Sequence, residues 1–306
     1  MAVDANLITT TVMTDAQVRE AQFTLLFEES IKKLTEALGV TRKIPMQAGT
    51  TLKTYKASGT LQSGTVAEGE VIPLSKYKVS PVTYKEIALS KFRKATTIEA
   101  IQKYGFKQAV NMTNDRMLKD IQKGIRKDFF DFLATGEGKA SGANFQGALA
   151  QAWGQLQVLF EDDEAQAVYF MNQLDVADYL ATANVTTQTA FGMTYIKDFL
   201  GLGTVILNSS VPKGKIYATA SNNIVLYYVP VNNSDIGEAF SFTTDETGLV
   251  GIHETPDYDT ATAITTVVDG IVLFAERIDG VVIASITPPA TQETGKETQE
   301  TGKETQ

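Results

Sequence analysis

Phe106-Lys-Gln-Ala-Val-Asn-Met-Thr-Asn-Asp-Arg-Met-Leu-Lys-Asp-Ile-Gln-Lys-Gly-Ile-Arg-Lys-Asp-Phe-Phe-Asp-Phe-Leu133 is the stretch on which the fold turns, set in a longer segment from Thr96 to Gly138. Phe106, Val110, Thr113, Met117, Ile121, Ile125, Phe129 and Phe132 recur every three or four residues, the spacing that gathers side chains on one face of a helix. Between them lie Lys107, Asn111, Asp115, Lys119, Lys123, Arg126 and Lys127, so the other face is wet and mostly basic. At 1.5 Å per residue such a helix is about 40 Å long, more than a typical globular domain uses. A helix of that length spans something.

Composition sets the outer bounds. A chain of 306 residues with 43% hydrophobic content buries a sizeable core as one large domain or two. It has no run of eighteen apolar residues, and Met1-Ala-Val-Asp-Ala-Asn6 lacks a basic region before an apolar one, so neither a membrane span nor a signal peptide is indicated. The protein is expected to stay where it is made. The absence of cysteine rules out disulfides, a thiolate nucleophile and sulfur-ligated zinc, and there is one histidine, His253. The net charge of −9 argues against a general nucleic-acid binder, yet from Lys76 to Asp128 thirteen Lys and Arg stand against five Asp and Glu. That split predicts two surfaces facing different surroundings, or simply a solvated basic helix face.

Before the central stretch, residues 1–12 read as an extended arm. From Asp15 to Leu38 the positions Val18, Phe23, Leu26, Phe27, Ile31, Leu34 and Leu38 predict an amphipathic helix, with Thr14 or Asp15 as N-cap and Gly39 as the stop. Its stripe needs a partner. Two strand-like stretches, Thr50–Ala57 and Val79–Phe92, then flank a middle, Ser58–Pro73, that carries Gly59, Gly64 and Gly69 and few large apolar residues. The middle cannot form its own core. With Lys53, Lys56, Lys76 and Lys78 at its ends, it reads as a projecting hairpin rather than a floppy loop, because strand-forming residues resume at Val79 and run on into the long helix.

After the helix, Ala134–Gly142 is a loop of glycine and small residues. Gly136-x-Gly138 meets Ser141 where a dinucleotide fingerprint needs its third glycine, and it follows a helix instead of a strand, so a nucleotide site is not expected. Asn144 caps a helix holding Leu149, Trp153, Leu156 and Phe160, which ends at the acidic turn 161–164. Ala167–Met171 is a buried strand, Asn172 caps a helix through Leu180, and 181–190 is a turn or loop. A short apolar piece, Tyr195–Leu200, precedes strands at Gly201–Asn208, Ile216–Ala220, Ile224–Val229, Phe240–Phe242, Val250–Ile252, Thr265–Ala275 and Gly280–Ile286. This half is an α+β domain around a central sheet. Beyond Thr287 the chain closes with two copies of Glu-Thr-Gly-Lys-Glu-Thr-Gln and no apolar residue after Ala290, which predicts a disordered tail.

Catalytic signals are thin. His253 lies in Gly-Ile-His-Glu-Thr-Pro256, without the second histidine of a zinc-protease motif, and a lone histidine on a strand is usually structural. There is no nucleophile elbow, and Gly214-Lys215 has Ser209 where a Walker loop needs glycine. The acidic groups at 161–164 and at Asp257 with Asp259 lack the loop glycine of calcium sites and read as solvated turns, and nothing singles out a pair of carboxylates for glycoside chemistry. No catalytic, metal or cofactor site is expected.

The order of parts, together with Leu133-Ala-Thr-Gly-Glu-Gly138, Val168-Tyr-Phe-Met-Asn172, Gly201-Leu-Gly-Thr-Val-Ile-Leu-Asn-Ser-Ser-Val-Pro-Lys-Gly214 and Ala275-Glu-Arg-Ile-Asp-Gly-Val-Val282, resembles the major capsid protein of tailed bacteriophages over residues 10–287. The resemblance implies an α+β, HK97-like capsid fold: an N-terminal arm and helix (1–40), an extended β-hairpin loop (41–92), a peripheral domain with the spine helix (93–144), an axial α+β domain (145–286) whose final strands return to the peripheral domain, and a disordered tail (287–306). It implies a structural protein, not an enzyme, that assembles into pentamers, hexamers and an icosahedral shell around double-stranded DNA. The virion is its location and the host cytoplasm its place of assembly, with no membrane. A separate scaffolding protein and a portal are implied partners, because the fold begins too close to Met1 for a scaffolding segment of its own. Lys53, Tyr55, Leu61, Val66, Val71, Ile72 and Tyr77 are then expected at an intersubunit hairpin contact, while Lys107, Lys119, Lys123, Arg126 and Lys127 are expected to face packaged DNA with weak, non-specific contact. The apolar face of the spine is expected on the sheet at the hairpin's base. No acceptor or glutamate for an isopeptide cross-link is matched. Two alternatives are an encapsulin-like nanocompartment shell and a generic α+β enzyme with a concave polar pocket.

Overall fold

A computed structural model describes residues 15–40, 42–161, 166–182 and 186–287. The expected arm, the expected tail and most of the acidic turn at 161–164 lie outside the described residues. Helix α1 covers Asp15–Leu38 and ends at Gly39, whose φ of +65° is the left-handed conformation that glycine adopts without strain. Phe23, Phe27, Ile31, Leu34 and Leu38 are buried, but Val18 and Leu26 are exposed, contrary to the predicted stripe. At roughly 100° per residue Val18 projects almost opposite the Phe27–Leu34 row and Leu26 about a quarter-turn from it, so the core covers neither.

Strand β1 (Lys43–Pro45) leads to a ribbon of β2 (Thr51–Thr60) and β3 (Lys76–Glu86), antiparallel, with a register shift between Thr54 and Tyr55. The predicted strand Val79–Phe92 is in fact two strands. Ile87 is fully buried, its N–H bonds the Thr50 carbonyl at 3.0 Å and its carbonyl accepts from Gly49 at 2.8 Å, so the chain is pinned there. Strand β4 (Ser90–Thr97) then enters a different sheet. Thr97 caps the short helix α2 (Ile98–Tyr104), Gly105 breaks it at φ +80°, and α3 occupies Phe106–Leu133, the bounds read from periodicity.

The segment predicted as a loop after α3 contains strand β5 (Gly138–Gly142), parallel to the last strand of the chain. Its glycines permit an approach no side chain would: a Cβ on Gly142 would lie 2.1 Å from the Ala148 nitrogen, and one on Gly138 2.8 Å from Val282. Helix α4 (Phe145–Leu159) is capped by Asn144, which accepts from the Gly147 N–H at 2.8 Å. Strand β6 (Ala167–Met171) and helix α5 (Gln173–Thr182) follow as predicted, with Asn172 accepting from the Leu174 N–H at 3.0 Å. Strands β7 (Gln188–Ala190), β8 (Met193–Ile196), β9 (Thr204–Leu207), β10 (Lys215–Ala220) and β11 (Ile224–Tyr228) come next, so the end of the predicted 181–190 loop is a strand.

Phe240–Phe242, predicted as a strand, instead follows helix α6 (Ser234–Ala239). Asn233 caps that helix and the Phe240 N–H closes it on Ile236, which leaves only β12 (Thr243–Thr244) to pair. After β13 (Val250–Asp257), the predicted strand Thr265–Ala275 splits at Gly270 into β14 (Thr262–Asp269) and β15 (Ile271–Ala275), which belong to different sheets. A Cβ on Gly270 would lie 2.8 Å from Val229, so glycine lets the chain turn hard against β11. The last strand is β16 (Val281–Ile286).

Seven strands in the order β5-β16-β10-β6-β9-β8-β7 form the main sheet, and β12-β13-β14-β4, β1-β11-β15 and the β2–β3 ribbon form the others. Both faces of the main sheet are covered. Val168, Phe170, Ile206, Tyr217 and Ile283 look toward α1 and α3, while Tyr169, Met171, Val205, Ile216 and Ala218 look toward α4 and α5. This is why Ala167–Met171 is apolar without alternation. The apolar face of α3 packs on α1 and β15 and reaches β6 through its rings: Phe129 meets Phe170 edge-on at 5.4 Å, and Phe132 stacks on Phe274 at 4.5 Å. β15 belongs to the sheet whose β1 leads into the hairpin, and Leu52 and Ile87 at the hairpin's base join the same core as α3.

Candidate intersubunit and nucleic-acid surfaces

The ribbon is anchored at its root. Leu52 and Ile87 are buried there, among the described residues β2 and β3 pair with no other strand, and Tyr77 lies over Gly59, where an added Cβ would come within 2.4 Å of the ring. Residues 61–75 beyond the paired strands carry no ladder, and the bond from the Gln62 N–H to Ser75 Oγ, at 3.1 Å, joins the two arms. Leu61, Val71, Ile72, Leu74, Tyr77 and Val79 are all exposed, Val71 and Leu74 by more than 90%. Burying one such side chain is worth about 1.5–3 kcal/mol, which a single copy of the chain forgoes at each of these positions. Of the predicted hairpin residues, Lys53 is exposed on β2 and Val66 half-buried, while the Tyr55 side chain lies outside the described residues. Leu74 and Val79 belong to the bare set as well. The alternation Ile72, Leu74 and Tyr77, Val79 was the sequence signal for them.

On α3, Lys119 and Lys123 are exposed, and so is Lys127, which pairs with Asp131 at 2.6 Å; that hydrogen bond holds its ammonium above the usual lysine value. Arg126 turns the other way. Its Nη1 donates to the Phe191 carbonyl, its guanidinium sits 5.7 Å from the Phe191 ring, and burial pushes its pKa down. It thus leaves the outward basic row, and the Lys107 side chain lies outside the described residues. Strand β4 adds exposed Lys91 and Arg93, whereas Lys94 turns in to Thr113 Oγ1 at 2.5 Å and burial lowers its pKa to about 8.

Other polar contacts tie separate elements together. Arg19 Nη2 lies 2.6 Å from Glu254 Oε2, Asn114 donates to Glu254 Oε1 at 3.0 Å, and His253 Nδ1 stands 3.7 Å from Glu20. Asp257 accepts from Thr260 Oγ1 and the Asp259 N–H within its own turn. A cavity of about 600 Å³ is lined by Glu36, Trp153, Gln166, Lys197, Asp198 and Ser221 among others, and His253 is not part of it, so no serine–histidine pair forms there. Among the described residues no group of three or more His, Asp or Glu is placed to hold a metal, and no helix is long and apolar enough to cross a membrane.

No protein-family model and no curated protein matches the chain by sequence. Solved structures do match by fold. The capsid of a native GTA particle is similar with a TM-score of 0.55 and 9% identity, over 94% of this chain and 95% of that one. The capsid of the empty GTA particle has a TM-score of 0.51 at 9% identity, over 94% and 95% of the two chains. The SrpI encapsulin of Synechococcus elongatus PCC 7942 has a TM-score of 0.51 at 13% identity, over 80% of this chain and 85% of that one. The chain has the HK97-like capsid fold, α+β as read from its sequence.

Proposed function

We propose that this chain is a structural, shell-forming subunit, the major capsid protein of a tailed phage, which assembles through pentamers and hexamers around packaged double-stranded DNA. The observation that carries the reading is the β2–β3 ribbon, bare in a single copy and mounted on a capsid-type body. A ring in which each ribbon lies across the next subunit repeats one heterologous contact until it closes, and buries the apolar side chains that one copy leaves in water. The chemistry of the protein on this reading is assembly and not catalysis.

The outward row of Lys119, Lys123 and Lys127 supports a DNA-filled shell over an encapsulin-type compartment with the same fold, because cations on one long helix face suit phosphates. In this proposal residues 93–144 form the peripheral part and 145–286 the axial part. A scaffolding protein and a portal complete the assembly in the host cytoplasm, and the finished virion holds the protein. Electron microscopy of the purified full chain, alone and with its scaffolding protein, tests the reading. Rings of five and six or closed shells support it; a monomer under both conditions contradicts it.

A further inference from the structure

We propose that the cleft between α1 and α3 binds a hard divalent cation, calcium in preference to magnesium, through Asn111, Asn114 and Asp115. The residues around the cleft enclose about 210 Å³ and fall on one face of each helix, at i, i+3, i+4 and i+7 counted from Arg19 on α1 and from Asn111 on α3. Asn114 is 5% exposed, and its Nδ2 donates to Glu254 Oε1 at 3.0 Å. A carboxylate only accepts, so the amide cannot turn round, and Oδ1 is left at the end away from Glu254. Asn114 lines the cleft and Glu254 does not, so Oδ1 is the end presented to it. Among the described residues nothing donates to that oxygen or to Asn111 Oδ1 one turn earlier, although both atoms are buried. Buried acceptors without a partner are costly, and these two call for a donor or a cation.

Charge decides between the two. Asp115 follows Asn114 on the same face, is exposed at the cleft and forms no ion pair among the described residues. Arg19 lies in the lining too, but its Nε and Nη2 both donate to Glu254 Oε2, at 2.9 and 2.6 Å, which cancels its charge. The other lining side chains are Gln22 and apolar groups, so the cleft holds one carboxylate without a counter-charge. Two amide oxygens, a carboxylate and the Gln22 carbonyl are donor types that calcium takes, with water filling a shell of about six to eight oxygens. Magnesium demands a near-ideal octahedron and keeps its own water, which suits buried amide oxygens poorly. A set that is mostly amide also explains why, among the described residues, no cluster of acidic or histidine side chains marks the place. With one carboxylate the affinity belongs to the weak range, a Kd of about 10⁻⁴–10⁻³ M. The ion ties the first helix to the spine, and the site needs one chain only, so it stands apart from the shell-forming reading.

Calorimetric titration of the full chain in calcium-free buffer tests the site. Calcium chloride should bind in that range, and magnesium chloride at least about tenfold more weakly. Asp115→Asn and Asn111→Ala should each weaken calcium at least about tenfold. Asp120→Asn, which removes a carboxylate further along α3 that is paired with Arg116, should leave it unchanged. Unfolding midpoints in calcium-free buffer establish that each variant is folded. About 10 mM calcium should raise the wild-type midpoint by about 2–5 °C over sodium chloride of equal ionic strength, and leave that of Asp115→Asn unmoved. Calcium binding equal in wild type, Asp115→Asn and Asn111→Ala overturns the site. A calcium response no greater than that of sodium means that the cleft holds water only and overturns it too, and an equal response to magnesium overturns the choice of calcium.

Discussion

The backbone N–H of Glu254 donates to Glu20 Oε1 across 2.5 Å, so a buried carboxylate on α1 does for β13 what a neighbouring strand would do. Strand β12 covers only Thr243 and Thr244, paired with Ile252 and Gly251, and beyond them the edge of β13 is open. Glu20 closes it, with Oε2 accepting from Thr243 Oγ1 at 2.5 Å, while neighbouring Arg19 takes the Glu254 carboxylate. The first helix is thereby stitched to the four-stranded sheet.

Replacing Glu20 by Ala leaves a part-buried N–H and a part-buried hydroxyl without their acceptors, and should cost about 1–3 kcal/mol, visible as a lower urea midpoint with unchanged slope. Glu20→Gln keeps one acceptor and should cost less than half of that. Equal losses for the two variants would locate the effect in packing instead.

Asp269 is buried at the break between β14 and β15, and burial pushes its carboxyl up to about 7, with the Ile271 N–H opposing. The folded value lies above the ordinary 3.8, so between the two the folded state holds a proton that the unfolded state has lost. Stability from this group therefore falls as pH rises from about 4 to about 7, then levels. Asp269→Asn should remove that slope and exceed wild type at pH 8 by at most about 4 kcal/mol, the gain fading toward pH 4. Parallel curves of unfolding free energy against pH for the two proteins would contradict it.

Replacing residues 61–75 by a two-residue turn should leave the monomer's thermal midpoint within a few degrees, because their apolar side chains are already in water. Assembly should disappear. A shortened protein that still forms rings or shells would separate the hairpin from the intersubunit contact.

Charge reversal of Lys119 and Lys123 should lower the salt needed to release double-stranded DNA from assembled particles, and should reduce the dependence on log salt by about two phosphate contacts. Arg126→Gln, by contrast, should act through stability, because its guanidinium is spent on the Phe191 carbonyl and ring. DNA release unchanged by the lysine reversals would remove the row from the inside of the shell.

The long helix was legible because its period runs unbroken from Phe106 to Leu133. The ribbon was legible because a Gly-rich segment with few large apolar residues cannot bury itself. Other features depend on distant partners. Gly138–Gly142 becomes a strand only against Val282 and the start of α4, and the run Thr265–Ala275 hides its break because Gly270 matters only where Val229 crowds it. Arg126 looked like one more outward cation, since helical spacing places it beside Lys127 and says nothing of a carbonyl at Phe191.

Cryo-electron microscopy of assembled full-length protein, with one ribbon traced from root to tip, decides whether the hairpin joins neighbouring subunits. The ribbon should cross onto the adjacent subunit, with Leu61, Val71, Ile72 and Leu74 buried against it. A ribbon folded back on its own subunit, or still free in solvent within a closed ring or shell, would show that the hairpin does not join subunits.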